Sequence, residues 1–183
     1  MVYILLGEGF EEIEAIAPLD ILRRADIETA TVSLTDDLLV NGGHDIKVKA
    51  DITLSQVDFE KLEMLVLPGG LGGVASIKSS AAAMDLIQKV WNENKKLAAI
   101  CAAPTILAKL DLLKGLSVTC YPTVSDVIED AGGTYKSDSV VHDGNLITGQ
   151  AAGASIDFGL ELVAVIRNRE AAEKQRSSMV YNV

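Results

Sequence analysis

The sequence predicts a doubly wound α/β sandwich around a mostly parallel sheet, carrying a small β-hairpin insertion. Strand and helix signals alternate from end to end, the order that winds helices over both faces of a parallel sheet. The central strand candidates are unbroken apolar runs, as strands buried on both faces require. Gly7, Pro68-Gly69-Gly70, Cys101 and Tyr121-Pro122 all fall just after strand ends, where such folds hold their ligands.

Each element follows from local pattern. Val2–Leu6 is a continuous apolar strand. Gly7-Glu8-Gly9 turns the chain, and Glu11-Glu12-Ile13-Glu14 opens a helix whose early acids suit the macrodipole. Pro18 is expected to kink that helix or to start a second one reaching Ala25. Residues 29–34 form the next strand, and residues 39–50 a hairpin about Asn41-Gly42-Gly43 that stands off the main sheet. Met64–Leu67 is a second central strand, ended by Pro68-Gly69-Gly70. Residues 80–94 place Met84, Ile87 and Trp91 on one helical face. A short strand stops at Cys101, a helix starts at Pro104, and residues 117–120 and 146–148 supply further strands. Ile156, Leu160, Val163 and Ala164 mark the buried stripe of a C-terminal helix. With no repeat, linker or low-complexity segment, residues 1–183 read as one domain.

Composition narrows the function. The net charge of -10 argues against nucleic acid or an anionic membrane surface as partner. Two cysteines in 183 residues make no disulfide framework, which points to a reducing compartment. The start of the chain lacks a signal-peptide pattern, and no apolar run approaches ~18 residues. A cytoplasmic protein without membrane contact is the expectation.

Cys101 is the strongest candidate for chemistry. It stands between a strand and a helix with Ala99 before it and Ala102 and Ala103 after it. Small neighbours around a strand-to-helix nucleophile are the pattern of a nucleophile elbow. The helix amides that follow are expected to favour a thiolate and to lower the thiol pKa from ~8.5. Glu8, Glu11, Glu12 and Glu14 are all spaced to bring a carboxyl to that sulfur. The backbone of Gly69, Gly70 and Ala102 is placed to cradle an oxyanion. Gly70, Gly72 and Ala75 also match a loose dinucleotide fingerprint, but the strand that follows ends in Cys101 and not in the required acid. No cofactor is expected. His44 and His142, with two scattered cysteines, make no metal signature, and both histidines read as exposed turn residues.

Taken together, several stretches resemble the ThiJ/PfpI superfamily, the Parkinsonism-associated protein deglycase family within it, and its bacterial YajL-like branch. They are Gly9-Phe10-Glu11-Glu12-Ile13-Glu14, Leu67-Pro68-Gly69-Gly70 and Ala98-Ala99-Ile100-Cys101-Ala102-Ala103-Pro104. Tyr121-Pro122 after Val118-Thr119, Thr148-Gly149-Gln150 and Ser155-Ile156-Asp157-Phe158-Gly159-Leu160 complete the set. The resemblance implies a flavodoxin-like, homodimeric fold with a reactive cysteine at position 101. It also selects Glu14 as the protonated carboxyl that hydrogen-bonds the sulfur and stabilises its sulfinic acid. The implied functions are oxidant sensing and protein protection under stress, a glyoxalase or deglycase acting on reactive carbonyls or glycated proteins, and a chaperone-like dimer. Two departures stand out. Tyr121 occupies the place of the histidine of animal relatives, and Ala102 that of the histidine after the cysteine in the peptidase branch. Peptidase activity is therefore not expected, and Tyr121 and Pro122 become pocket candidates.

Overall fold

The computed structural model describes residues 1–182. Its central sheet has seven strands: β1 (Val2–Leu6), β2 (Thr29–Ser33), β5 (Ile52–Thr53), β6 (Met64–Leu67), β7 (Lys96–Ile100), β10 (Val140–Asp143) and β11 (Leu146–Gly149). They lie in the order β10-β11-β7-β6-β1-β2-β5, all parallel except the antiparallel edge strand β10. From β1 the chain builds outward through β2 and β5, then crosses back to β6 and on to β7. The β1/β6 junction is thus the switch point, where an open α/β sheet leaves a crevice at its carboxyl edge.

Successive side chains of a strand point to opposite faces, and both faces here are covered. Tyr3, Leu5, Leu65, Leu67, Leu97 and Ala99 face one apolar layer. It is roofed by helices α2 (Leu71–Ser79), α3 (Ala81–Asn92), α4 (Pro104–Lys109) and α5 (Ser125–Asp130). Val2, Ile4, Leu6, Met64, Val66, Ala98 and Ile100 face the other layer. It lies beneath α1 (Glu12–Arg24), α6 (Ser155–Ile166) and α7 (Arg169–Ser178). Burial on both sides is why these strands read as unbroken apolar runs. Each buried aliphatic side chain contributes about 1.5–3 kcal/mol. The three-layer, flavodoxin-like architecture is the one expected.

Several elements differ from expectation. Helix α1 runs through Pro18 as one element. Proline removes only the bond that the Glu14 carbonyl would accept, and α1 packs along α6, where a Cβ on Gly159 would stand 3.1 Å from Pro18 Cα. Residues 117–120 do not join the central sheet: β8 (Ser117–Val118) pairs with β9 (Thr134–Tyr135) in a separate two-stranded sheet. His142 lies on β10 and not in a turn, while Gly144 takes the turn with φ 60°. On α3 the fully buried face is Ala83, Ile87 and Val90, and Met84 and Trp91 flank it. Helices α2, α5 and α7 were not anticipated. The hairpin, β3 (Leu39–Asn41) with β4 (Lys47–Lys49), forms its own antiparallel sheet as expected. It docks on the loop after β1 through Gly9 N–Asn41 O (2.8 Å) and Gly43 N–Phe10 O (2.8 Å).

Candidate functional site

Three adjacent strands deliver the site. The chain leaving β7 makes its turn at Cys101 itself, whose φ is 64°. A non-glycine residue held in the left-handed region is uncommon and costs of order 1–3 kcal/mol, so surrounding contacts must hold it there. They do: the Cys101 amide donates to Gly149 O of neighbouring β11 (2.9 Å), and the Cys101 carbonyl accepts from Tyr121 N (2.8 Å). Ala99 and Ala103 are fully buried and Ala102 nearly so. Larger side chains at these positions would not fit around the elbow. The sulfur is half-buried, facing the carboxyl edge of the sheet.

Glu14 comes from the first turns of α1 and is fully buried. Its Oε2 accepts the Gly69 amide at 2.8 Å, and the Gly69 carbonyl accepts from Glu11 N at 3.1 Å. Gly69 therefore clasps α1 at two points. A Cβ on Gly69 would stand 2.6 Å from Glu14 Oε2 and 2.8 Å from Cys101 Cβ, so only glycine lets the loop after β6 pass between the two functional residues. The next residue, Gly70, has φ 83° and begins α2, and its Cβ would collide with Glu11 N and Gly9 O, each at 2.6 Å. The amides of Gly70 and Ala102 lower the proton affinity of the Cys101 thiol. The Gly69 amide does not, because Glu14 takes it.

The buried carboxyl and the thiol shift each other's proton affinity. Burial pushes the Glu14 carboxyl up to about 7, against the lowering effect of its hydrogen bonds with Cys101 and Gly69. Glu14 Oε1 is buried with no hydrogen-bond partner among the described residues. Burial, then the Glu14 charge and hydrogen bond, push the Cys101 thiol up to about 12. The lowered thiol pKa expected from the following helix is thereby corrected. Helix α4 has only six residues, and the amides of Ala102 and Gly70 pull down less than burial and the Glu14 carboxylate push up. Once Glu14 takes the proton, its charge no longer opposes a thiolate and the two amides remain to favour one.

The site opens into a cavity of about 490 Å³ whose walls include Cys101, Glu14, Gly70, Ala102 and Tyr121. Pro122 is not in its lining: it opens a single 3-10 turn, and Thr123 and Val124 of that turn face the cavity instead. Glu11, His44, Leu71 and the 151–153 segment also line it. None of these was singled out for the pocket by spacing alone. Glu11 was indistinguishable from its acidic neighbours, and His44 reaches the site only because the hairpin folds back on the loop after β1. Among the described residues, Glu11, Glu12 and His44 form a group able to approach a metal ion. Glu12 is already bonded to His44, and nothing further marks the group as a metal site.

Comparison with known proteins agrees with the geometry. Residues 1–165 match the DJ-1/PfpI family model. Protein dj-1beta of Drosophila melanogaster is 34% identical over 171 residues, covering 93% of this chain and 91% of the relative. The crystal structure of Drosophila melanogaster DJ-1beta superposes with a TM-score of 0.94 at 33% identity, covering 100% of this chain and 98% of that one. Oxidized DJ-1 of Toxoplasma gondii gives 0.93 at 30% identity, again over 100% and 98% of the two chains. A cysteine-to-alanine mutant of a DJ-1 superfamily protein from Salmonella typhimurium gives 0.92 at 34% identity, with the same coverage. The chain belongs to the DJ-1/PfpI family, part of the ThiJ/PfpI superfamily.

Proposed function

We propose that this chain is a DJ-1-like stress-response protein whose Cys101 is the oxidant-reactive group. The observation that carries this reading is Glu14, fully buried next to Cys101 at the elbow, with only Gly69 between them. A thiolate attacks a peroxide oxygen and becomes sulfenic acid, and a second peroxide takes it to sulfinic acid. Each step oxidises sulfur by two electrons and reduces one peroxide to water. Protonated Glu14 donates a hydrogen bond to the sulfinate, and the Gly70 and Ala102 amides supply further donors. The oxidized Toxoplasma gondii relative lends support. Intact-mass and peptide mapping after mild peroxide treatment tests it. Two oxygens should be added at Cys101, while buried Cys120 stays reduced. Oxidation confined to Cys120, or none, overturns the proposal.

A glyoxalase or deglycase activity is the second reading, favoured by a cavity large enough for a small dicarbonyl beside the same amides. Cys101 would add to the aldehyde carbon, and Glu14 would move the proton between adjacent carbons to give a thioester. Water would then release the hydroxy acid. Methylglyoxal turnover by the wild type and not by Cys101→Ser supports it, and equal rates remove it. As to assembly, we take the chain to act as a homodimer.

A further inference from the structure

His44 shares the Cys101 cavity and has no part in the pair described above. It sits in the turn between β3 and β4, and its ring is exposed yet held from one side. Glu12, itself nearly buried, accepts the His44 amide through Oε1 at 2.7 Å and Nδ1 through Oε2 at 2.9 Å. Both oxygens of one carboxylate are thus committed to one histidine. A Cβ on Gly42 would stand 2.2 Å from Glu12 Oε1, so the hairpin backbone lies directly on that carboxylate. With Nδ1 engaged, Nε2 is the ring nitrogen without a hydrogen bond among the described residues, on a side chain that lines the cavity.

The charged groups around His44 are acids. Glu11 Oε1 lies 3.6 Å from Nδ1, and Asp45 follows it in the turn. Glu14 lies across the shared cavity, and Glu8 and Asp20 line the adjoining hollows. The Glu12 hydrogen bond and then the Glu11 and Glu12 charges raise the His44 pKa, which favours the imidazolium form.

Resting on the reading that Cys101 is the oxidant-reactive group, we propose that His44, oriented by Glu12, is the general acid for peroxide reduction at Cys101. The Cys101 thiolate forms a bond to one peroxide oxygen as the O–O bond breaks. The departing oxygen leaves as hydroxide unless it receives a proton, and His44 Nε2–H supplies one. Thiolate, peroxide and imidazolium become sulfenic acid, water and neutral imidazole. Sulfur loses the two electrons that the peroxide gains. An in-line displacement sends the leaving oxygen away from the sulfur and into the cavity. Glu14 also lines the cavity but is fully buried, with Oε2 held by the Gly69 amide, whereas the exposed His44 ring offers its donor from another part of the wall.

The test compares two reactions of Cys101 across pH 5–9, peroxide oxidation and alkylation by iodoacetamide. Both need the thiolate, but iodide leaves without a proton. His44→Gln should slow peroxide oxidation by about 10²-fold, the low end of general-acid catalysis. It should also abolish the alkaline fall in the ratio of peroxide rate to alkylation rate, from which the thiolate fraction cancels, and leave alkylation within about twofold. Glu12→Gln keeps the ring but removes the charge that raises its pKa, so the alkaline fall should move to lower pH. Unchanged peroxide rates in His44→Gln overturn the proposal while Cys101 remains the oxidant target. Equal loss in both reactions also overturns it, because His44 would then act on the thiolate. A wild-type Cys101 inert to peroxide removes the functional reading and this proposal together.

Discussion

At the scale of single residues, the site turns on where one proton resides. Cys101 is recognisable in the sequence because alanines flank it and a proline-led helix follows. Its proton affinity was not legible, because that depends on a carboxylate 87 positions away and on burial that no local pattern encodes. Four nearby acids fit the spacing equally well, and only the fold shows Glu14 clasped by Gly69 and buried at the sulfur. A carboxyl whose folded pKa is raised binds its proton more tightly in the native state than in the unfolded chain. Its contribution to stability is full below the unfolded value near 4.5 and is lost as pH rises through about 7. Between pH 4.5 and 7.5 the wild type should therefore lose about 2–3 kcal/mol relative to Glu14→Gln. Gln keeps the oxygen that accepts the Gly69 amide but carries no titrating proton. Urea unfolding of both proteins across that range measures the difference, and parallel profiles would contradict the assignment.

At the scale of elements, the site depends on how closely helices and loops approach. Long apolar strands and the amphipathic α3 were readable because their periodicity is strong. Helix α2 was hidden because Gly72 and Gly73 disfavour a helix; their packing on the loop after β1 and the burial of Val74 and Ile77 in the core hold it there. Edge pairings such as β8 with β9 are set by tertiary contact, so the strand read at residues 117–120 gave no sign that it would pair outside the central sheet. Helix α1 carries Glu14 and is seated on α6 through Gly159. An added Cβ there would meet Ile21 Cδ1 at 2.8 Å and Pro18 Cα at 3.1 Å. The isoleucine end can turn aside; the proline backbone cannot. Gly159→Ala should therefore cost about 1–3 kcal/mol by overpacking, even though alanine is the better helix former. It should also push α1 outward and alter the Cys101 alkylation rate. A stabilised protein with unchanged alkylation would mean that α1 does not bear on that contact.

At the scale of the whole molecule, the order of strands was legible only as a class. Alternating elements imply a doubly wound sheet, but the reversal at β1/β6 comes from which strands pair. That reversal is what brings Glu14, Gly69 and Cys101 to one edge. The outer face of α1 raises the question of assembly. Ile13, Ile16 and Ile46 are 49%, 38% and 56% exposed around a hollow of about 710 Å³. Large exposed aliphatics grouped beside the Cys101 cavity favour a protein contact over open solvent. A second copy of this chain is the occupant that the homodimer reading requires, because a two-fold interface buries the same patch from both subunits. One substitution then acts twice. With about 1.5–3 kcal/mol for each buried isoleucine, Ile13→Lys should weaken association by at least about 10²-fold. Sedimentation equilibrium at micromolar concentration should give the wild type twice the 19.4 kDa chain mass and the variant close to one chain. A wild-type monomer, or a variant dimer of undiminished affinity, would place any self-association elsewhere on the molecule.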